Sequence, residues 1–414
     1  MIELDLAEAA RERFELPAAE GRYRRALDLL SKSDAAQRMV ALRGLGLVRM
    51  STGRGVEALG DLTEAASLAR QLGDGEAELE LLLAQATAHD WTNDASAAAL
   101  LVAKAEELAR TVPTPGWLRA SLLTGRGRSQ FRAGQWTEAW STLQAAVQVA
   151  ERLGAAGFEP LLAALILLEV LLPYLGRTPE AESAATRAIG LARSRGDKLH
   201  LASALNNRRN LMVANKDLAG AIADQRAFRD LGRELGLSLP EYYAEFNLAE
   251  LHYQSGDLTL AFPFAARAVR FEEWMPSIAP RPVARLLEAR LAAWQGLDKE
   301  ANAKLVLVRA STEKARAAGQ PSGLLLPSEE VLASMVELSS RPAADDEWDA
   351  LLARSTRDSL EQEPIEVLEL RALAARRQGR NDVARRSFAE ALALAAKIPN
   401  LLEARLRGGL ALAS

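Results

Sequence analysis

Ala and Leu recur at helical spacing along nearly the whole chain, with Arg and Glu between them. No stretch alternates with the period of two that a strand requires, so the pattern predicts an all-α protein. Short turn signals, each followed by Ala, break it at regular intervals. They fall at Gly53, Gly134, Gly176, Lys216, Gly256, Gly296 and Gly379, with weaker copies at Asn93 and near Ser340. Eight steps separate Gly53 from Gly379, a mean of about 41 residues, and a fixed period of this size marks a repeat architecture. Gly or Asn at such turns suits a helix C-terminus, where the backbone turns left-handed. Each unit is therefore read as helix A, turn, helix B and a looser link.

Small residues hold a fixed register around these turns. Gly46, Ala86, Gly127, Ala249, Ala289, Ala333 and Ala372 lie seven residues before a turn. Ala58, Ala98, Ala139, Ala181, Ala221, Ala261, Ala301 and Ala384 lie five after it, and Ala65, Ala105, Ala146, Ala188, Ala268 and Ala391 seven further on. Such residues let the two helices of a hairpin approach closely, while Leu62, Val102, Leu143 and Phe388 fill the grooves between them. One hairpin cannot bury its apolar face alone, so neighbours must stack.

The triads Gly46–Ala58–Ala65, Ala249–Ala261–Ala268 and Ala372–Ala384–Ala391 resemble positions 8, 20 and 27 of the tetratricopeptide (TPR) repeat. The usual TPR period is about 34. The longer units here resemble the arrays of large bacterial activators of the maltose-regulator type, and those of kinesin light chain. HEAT and armadillo repeats, with periods of about 40–47, are the alternative; the Ala triad with its Gly turn favours TPR. The resemblance implies a right-handed α-solenoid of about ten hairpins, a single array over residues 1–414. The first unit is degenerate, with Ala7, Ala19 and Ala26 as its triad and Phe14 at the turn. Pro, Gly and acidic residues predict an irregular junction over 318–346. The final segment, "LLEARLRGGLALAS", is read as a capping helix.

Composition narrows the function. The 414 residues are 49% hydrophobic and 26% charged, which excludes a disordered chain. A net charge of −4 gives no basic face for nucleic acid. There is no cysteine, so disulfides, thiolate metal sites and Cys nucleophiles are excluded. The N-terminus lacks the basic and apolar regions of a signal peptide. The apolar run at residues 161–175 is short and is interrupted by Glu169 and Pro173. The expectation is a cytoplasmic protein with no membrane partner, and the excess of 43 Arg over 8 Lys suggests a bacterial source. No phosphate loop, dinucleotide fingerprint, HExxH or nucleophile elbow occurs, and His89, His200 and His252 are scattered. The expectation is no enzyme, no metal and no cofactor. The activators' nucleotide-binding and DNA-binding domains have no counterpart here. The adjacent acids Glu272–Glu273 and Asp345–Asp346 are read as solvated.

The TPR resemblance also implies where a ligand would sit, because helix A lines the inner surface with positions 2, 5, 9 and 12. In the sixth unit, within the polar stretch 201–217, positions 5 and 9 are Asn206 and Asn210. An amide donates and accepts at once, which suits the backbone of an extended peptide. The seventh unit offers Tyr243, Phe246, Glu250 and Tyr253, the fourth Arg128 and Phe131, and the eighth Arg290. Nine of the chain's 21 aromatics fall in residues 228–274, and aromatics favour interfaces. Phe262, Phe264 and Phe271, on helix B, are read as packing residues. Position 8 turns charged only in the fifth and sixth units, as Glu169 and Arg209. A structural ion pair between them, helped by Gln225, is expected; losing one partner of such a buried pair costs about 3–5 kcal/mol.

The expected function is a non-catalytic scaffold that holds a peptide or protein segment in the groove of the central repeats. The alternative is a sensor array that binds a small molecule or short signalling peptide and regulates a partner such as a transcription factor. Solenoids expose both ends, so a homo-oligomer is compatible with either.

Overall fold

The computed structural model describes residues 2–92, 94–276, 279–358, 362–398 and 400–413. Over these residues the chain forms twenty-one α-helices and no strand. They follow one another as ten A–B pairs: α1 (Ile2–Glu12) and α2 (Leu16–Leu29), α3 (Ala35–Ser51) and α4 (Gly55–Leu72), α5 (Gly75–Trp91) and α6 (Ala95–Leu108), α7 (Gly116–Arg132) and α8 (Trp136–Arg152), α9 (Phe158–Leu171) and α10 (Thr178–Arg195). The series continues with α11 (Lys198–Ala214) and α12 (Leu218–Leu235), α13 (Ser238–Ser255) and α14 (Leu258–Trp274), α15 (Val283–Gln295) and α16 (Asp298–Ala317), α17 (Pro327–Ser339) and α18 (Asp345–Asp358), α19 (Glu363–Arg377) and α20 (Asn381–Ala395). The expected capping helix is α21 (Glu403–Ala413). Helix A packs on helix B within a pair, as α3 does on α4, and helix B packs on the next helix A, as α4 does on α5.

The turn register has a backbone cause. Gly53, Gly134, Gly176, Gly256, Gly296 and Gly379 all have positive φ, and so do Phe14 and Lys216, which stand at equivalent turns without being glycine. The expected turn at Asn93 lies outside the described residues. At Ser340 φ is −87°, so the ninth pair turns without the left-handed residue. A 3-10 turn at Pro321–Gly323 and the short α17 complete the irregular stretch expected over 318–346.

The helices group into two compact units. The first holds residues 1–211 and 230–237, the second residues 212–229 and 238–414, and the division cuts both α11 and α12. In the first unit, the degenerate opening pair shares one core with later sequence: Ala7, Leu16, Tyr23, Leu45 and Val48 cluster with Leu235 and Leu237. The segment 154–175 has the length and hydropathy of a membrane span, and half of it is buried within the protein. Its helix α9 packs against α7, α8 and α10. In the second unit, α13 meets α15 and α21, and α15 meets α17 and α19, so helices of the A layer touch across non-adjacent repeats.

The expectation that Glu272 is solvated is not met. Its carboxylate accepts hydrogen bonds from the backbone N–H groups of Ala284 (2.6 Å) and Arg285 (3.3 Å), at the start of α15, and from the Tyr242 hydroxyl (3.3 Å). These donors replace water at orphan amides of the helix N-terminus. Glu273 and Asp345 are exposed and ion-paired, with Arg285 and with Arg371 and Arg380. Burial pushes the Glu272 carboxyl from its ordinary 4.5 up to about 8. Between those values the folded chain holds a proton that the unfolded chain has released, so stability falls as pH rises from 5 to 8. Glu272→Gln keeps an acceptor for the amides and removes the titration. The stability of wild type relative to this variant should fall by about 1–3 kcal/mol over that interval. Parallel urea-unfolding curves at each pH would sink the assignment.

Candidate functional site

On the helix-A layer of the first unit, α7 presents Arg128 and Phe131 at positions three apart. The Arg128 guanidinium donates to the Thr87 hydroxyl of α5 at 2.8 Å and lies 3.9 Å from Asp90, which also pairs with Arg132 at 2.7 Å. Burial pushes the Arg128 guanidinium down from its ordinary value, with Asp90 acting against that shift. Phe131 meets Tyr174 edge-on, with ring centroids 5.5 Å apart, and Tyr174 meets Trp136 at 5.2 Å. Trp136 and Tyr174 stay substantially exposed, so these rings form an aromatic edge at the turns of the fourth and fifth pairs.

Asn206 and Asn210 lie one turn apart on α11, the first half-buried and the second exposed. The Asn210 side-chain Oδ1 accepts from the Arg209 guanidinium at 2.9 Å. Glu169 is buried in α9, and Arg209 is half-buried. The Gln225 side-chain carbonyl accepts from the Asn247 amide at 2.9 Å. One hydrogen bond joins these two side-chain amides, in the buried interior of the second unit.

The second unit places the remaining expected residues in three settings. Tyr243 is partly exposed beside Tyr242, their ring centroids 5.1 Å apart. Phe246 packs into the cores around α13. Glu250, Tyr253 and Arg290 are joined in a network whose core is buried. Arg290 reaches Glu250 at 2.5 Å and Glu366 of α19 at 2.6 Å, and the Tyr253 hydroxyl donates to Glu366 at 3.2 Å. Arg405 of α21 grips Glu369 with Nε at 2.8 Å and Nη2 at 2.5 Å, and its Nη1 donates to the Tyr253 carbonyl. The Trp294 indole holds Glu369 from another side at 3.1 Å. The Arg290 and Arg405 guanidiniums lie 4.8 and 4.4 Å from the Tyr253 ring centroid.

Electrostatics follow this crowding. Burial pushes the Glu366 carboxyl up despite Arg290, and burial pushes the Tyr253 phenol up. Arg290 is driven well above its ordinary value, because Glu250 and Glu366 together outweigh its burial. Tyr253 and Arg290 therefore lie in the A layer as the register expects, but not at an open surface. They are covered by α19 and α21 and serve as internal partners. Glu250 keeps a small exposed fraction at the edge of the network.

Sequence reasoning missed Glu366, Glu369, Trp294 and Arg405. Glu366 and Glu369 stand at positions 2 and 5 of the tenth unit, so the register that selects Arg290 could have selected them. Arg405 lies in the capping helix, outside the register, and carried no such signal. Phe262 and Phe264 do pack between helices, as expected. His252 is buried and stacks on Phe264 at 5.5 Å, and burial pushes its imidazole down. His200 bonds Asp197, the residue that precedes α11, at 2.7 Å. Among the described residues, no three His, Asp or Glu side chains converge as metal ligands.

No protein-family model matches the sequence, nor does any curated protein. Solved structures do match. The apo form of RapI is 11% identical over 88% of this chain and 98% of its own, with a TM-score of 0.58. A Rap protein complexed with competence and sporulation factor is 12% identical, covers 94% of this chain and 98% of its own, and also scores 0.58. The apo quorum sensor NprR from B. thuringiensis is 12% identical over 84% of this chain and 98% of its own, with a TM-score of 0.53. At these identities the likeness is one of fold. Together with the ten hairpins and their turn register, it shows a fold of stacked helical hairpins shared with these structures.

Proposed function

We propose that this TPR-like array is a non-catalytic scaffold that holds a peptide or protein segment on its A-layer surface, with Asn206 and Asn210 as the principal contacts. The observation that carries the reading is the placement of two amides one turn apart on α11, half-buried and exposed, on a helix that buries Ala202, Ala204, Leu205 and Leu211. Side-chain amides at that spacing can bracket one peptide unit, accepting from its N–H and donating to its carbonyl. Arg128 and Phe131 extend the same layer with a cation and a ring. The solved Rap complex with competence and sporulation factor supports the class of function, since it is a chain of similar fold in complex with that factor.

A second reading, a sensor that encloses a small signalling molecule or peptide, is favoured by one observation. The opening hairpin shares its core with Leu235 and Leu237, so the first unit joins its beginning to its end. Affinity capture from the source cell, followed by mass spectrometry, tests the scaffold. The double variant Asn206→Ala/Asn210→Ala should lose the captured partner at least tenfold, while the melting temperature shifts by no more than about 2 °C. Undiminished capture by this variant would remove these amides from the reading. Capture of no protein by wild type would favour the sensor.

A further inference from the structure

The buried network in the second unit contains a site built for a guanidinium. Glu369 offers both carboxylate oxygens to Arg405, at 2.8 and 2.5 Å, in the fork geometry that arginine matches and lysine cannot. The Tyr253 ring lies 4.4 Å and the Trp294 ring 5.5 Å from the same guanidinium. The Tyr253 carbonyl, which accepts from Arg405, belongs to the last turn of α13, where helix carbonyls carry partial negative charge. Glu369 is 2% exposed, so its charge needs a cation close by. Without Arg405, Glu369 would keep only the Trp294 indole, since Arg290 pairs with Glu250 and Glu366. Any segment that takes the place of α21 must therefore bring a cation with it.

The helix that supplies Arg405 is weakly built. It has eleven residues, fewer than an isolated helix needs, and it carries Gly408 and Gly409 in succession. Gly409 has a packing reason, since a Cβ there would lie 2.4 Å from the Phe388 ring. Gly408 has none, since a Cβ there would meet nothing within 4 Å. Leu402 and Leu406 are fully buried and anchor the front of the helix, whereas Leu412 is 72% exposed. A strong cation site is thus filled by a helix with low intrinsic stability.

We infer that Glu369, Tyr253 and Trp294 form an arginine-recognition site, filled by the chain's own Arg405 and taken by an arginine-bearing segment of a partner when α21 leaves. The inference rests on reading the A layer as a ligand surface and names the partner chemistry for its C-terminal part. Full-length protein is titrated with a fluorescent peptide of sequence LLEARLRGGLALA, residues 401–413, added in trans. The Arg405→Ala chain should bind this peptide at least tenfold more tightly than wild type. Peptides with Lys or Ala in place of that arginine should bind about tenfold and a hundredfold more weakly, respectively.

Equal binding by wild type and Arg405→Ala, or by the three peptides, overturns the inference. Should Arg405→Ala fail to fold, Gly408→Ala supplies the reverse test, because a stronger α21 must weaken peptide binding by about fivefold. Hydrogen exchange gives a further readout on wild type. Amides of α21 should exchange faster than those of α20, and saturating peptide should deprotect them further; equal, unresponsive protection overturns the inference. Asn206 and Asn210 lie in the other unit, so loss of peptide exchange with intact partner capture would retire this inference and leave the scaffold reading standing.

Discussion

Replacing Arg290 with Met will destabilise the second unit by about 3–5 kcal/mol, because it strands buried carboxylates. Arg290 is 4% exposed, and it is the cation shared by Glu250 and Glu366. Met fills a similar volume, so the loss reports charge more than packing. The variant should unfold at a lower urea concentration, followed by circular dichroism at 222 nm. Adding Glu366→Gln should recover at least about 1 kcal/mol, since the neutral amide needs no cation. Additive single-variant losses would show that Arg290 and Glu366 do not stabilise each other. The same double variant should rise in stability relative to Arg290→Met as pH increases, because the lone carboxylate of the single variant becomes harder to keep protonated.

Gly127→Val should cost about 2–3 kcal/mol through overpacking. A Cβ at Gly127 would lie 2.6 Å from Leu143 Cγ and 3.5 Å from the Ala139 carbonyl oxygen. The equivalent Gly46 faces Leu62 Cγ at 2.7 Å and the Ala58 carbonyl oxygen at 3.3 Å. Repeats two and four thus share one device, a glycine on helix A that admits a leucine from helix B. In the third repeat the pair is Ala86 with Val102, a larger residue opposite a smaller one. Leu143→Ala should relieve part of the Gly127→Val strain, so the double variant should be more stable than the sum of the two single losses predicts. Strict additivity in thermal unfolding would show that the two positions do not press on each other.

The all-α class, about ten hairpins, the glycine turns and the capping helix are legible in the sequence, and so are most packing positions. Gly53, Gly256 and Gly379 mark turns because a left-handed residue is needed where helix A ends. Gly46, Gly127 and Ala249 mark close contacts because two helix backbones meet there. These constraints act between residues that are near in the chain, so they repeat with the period of the unit. Glu272 was misread because an adjacent acid pair carries no sign that one member will cap a helix starting eleven residues later. The polar character of Gln225 is visible in sequence, whereas its hydrogen bond to Asn247, 22 residues away, is not.

Sequence alone determined the repeat and its turn register, because the constraints recur with the period of the unit, and the TPR resemblance implied the layer on which Asn206, Asn210, Tyr253 and Arg290 stand. Only the tertiary structure decided which parts of that layer are open. A polar residue on the A layer looks the same in sequence whether it meets water, a ligand or another side chain. Arg405 reaches the Tyr253 carbonyl across 152 residues, and no local pattern encodes that distance. Packing in three dimensions brings α19 and α21 over α13 and α15, and there it turns an expected ligand surface into a buried charge network.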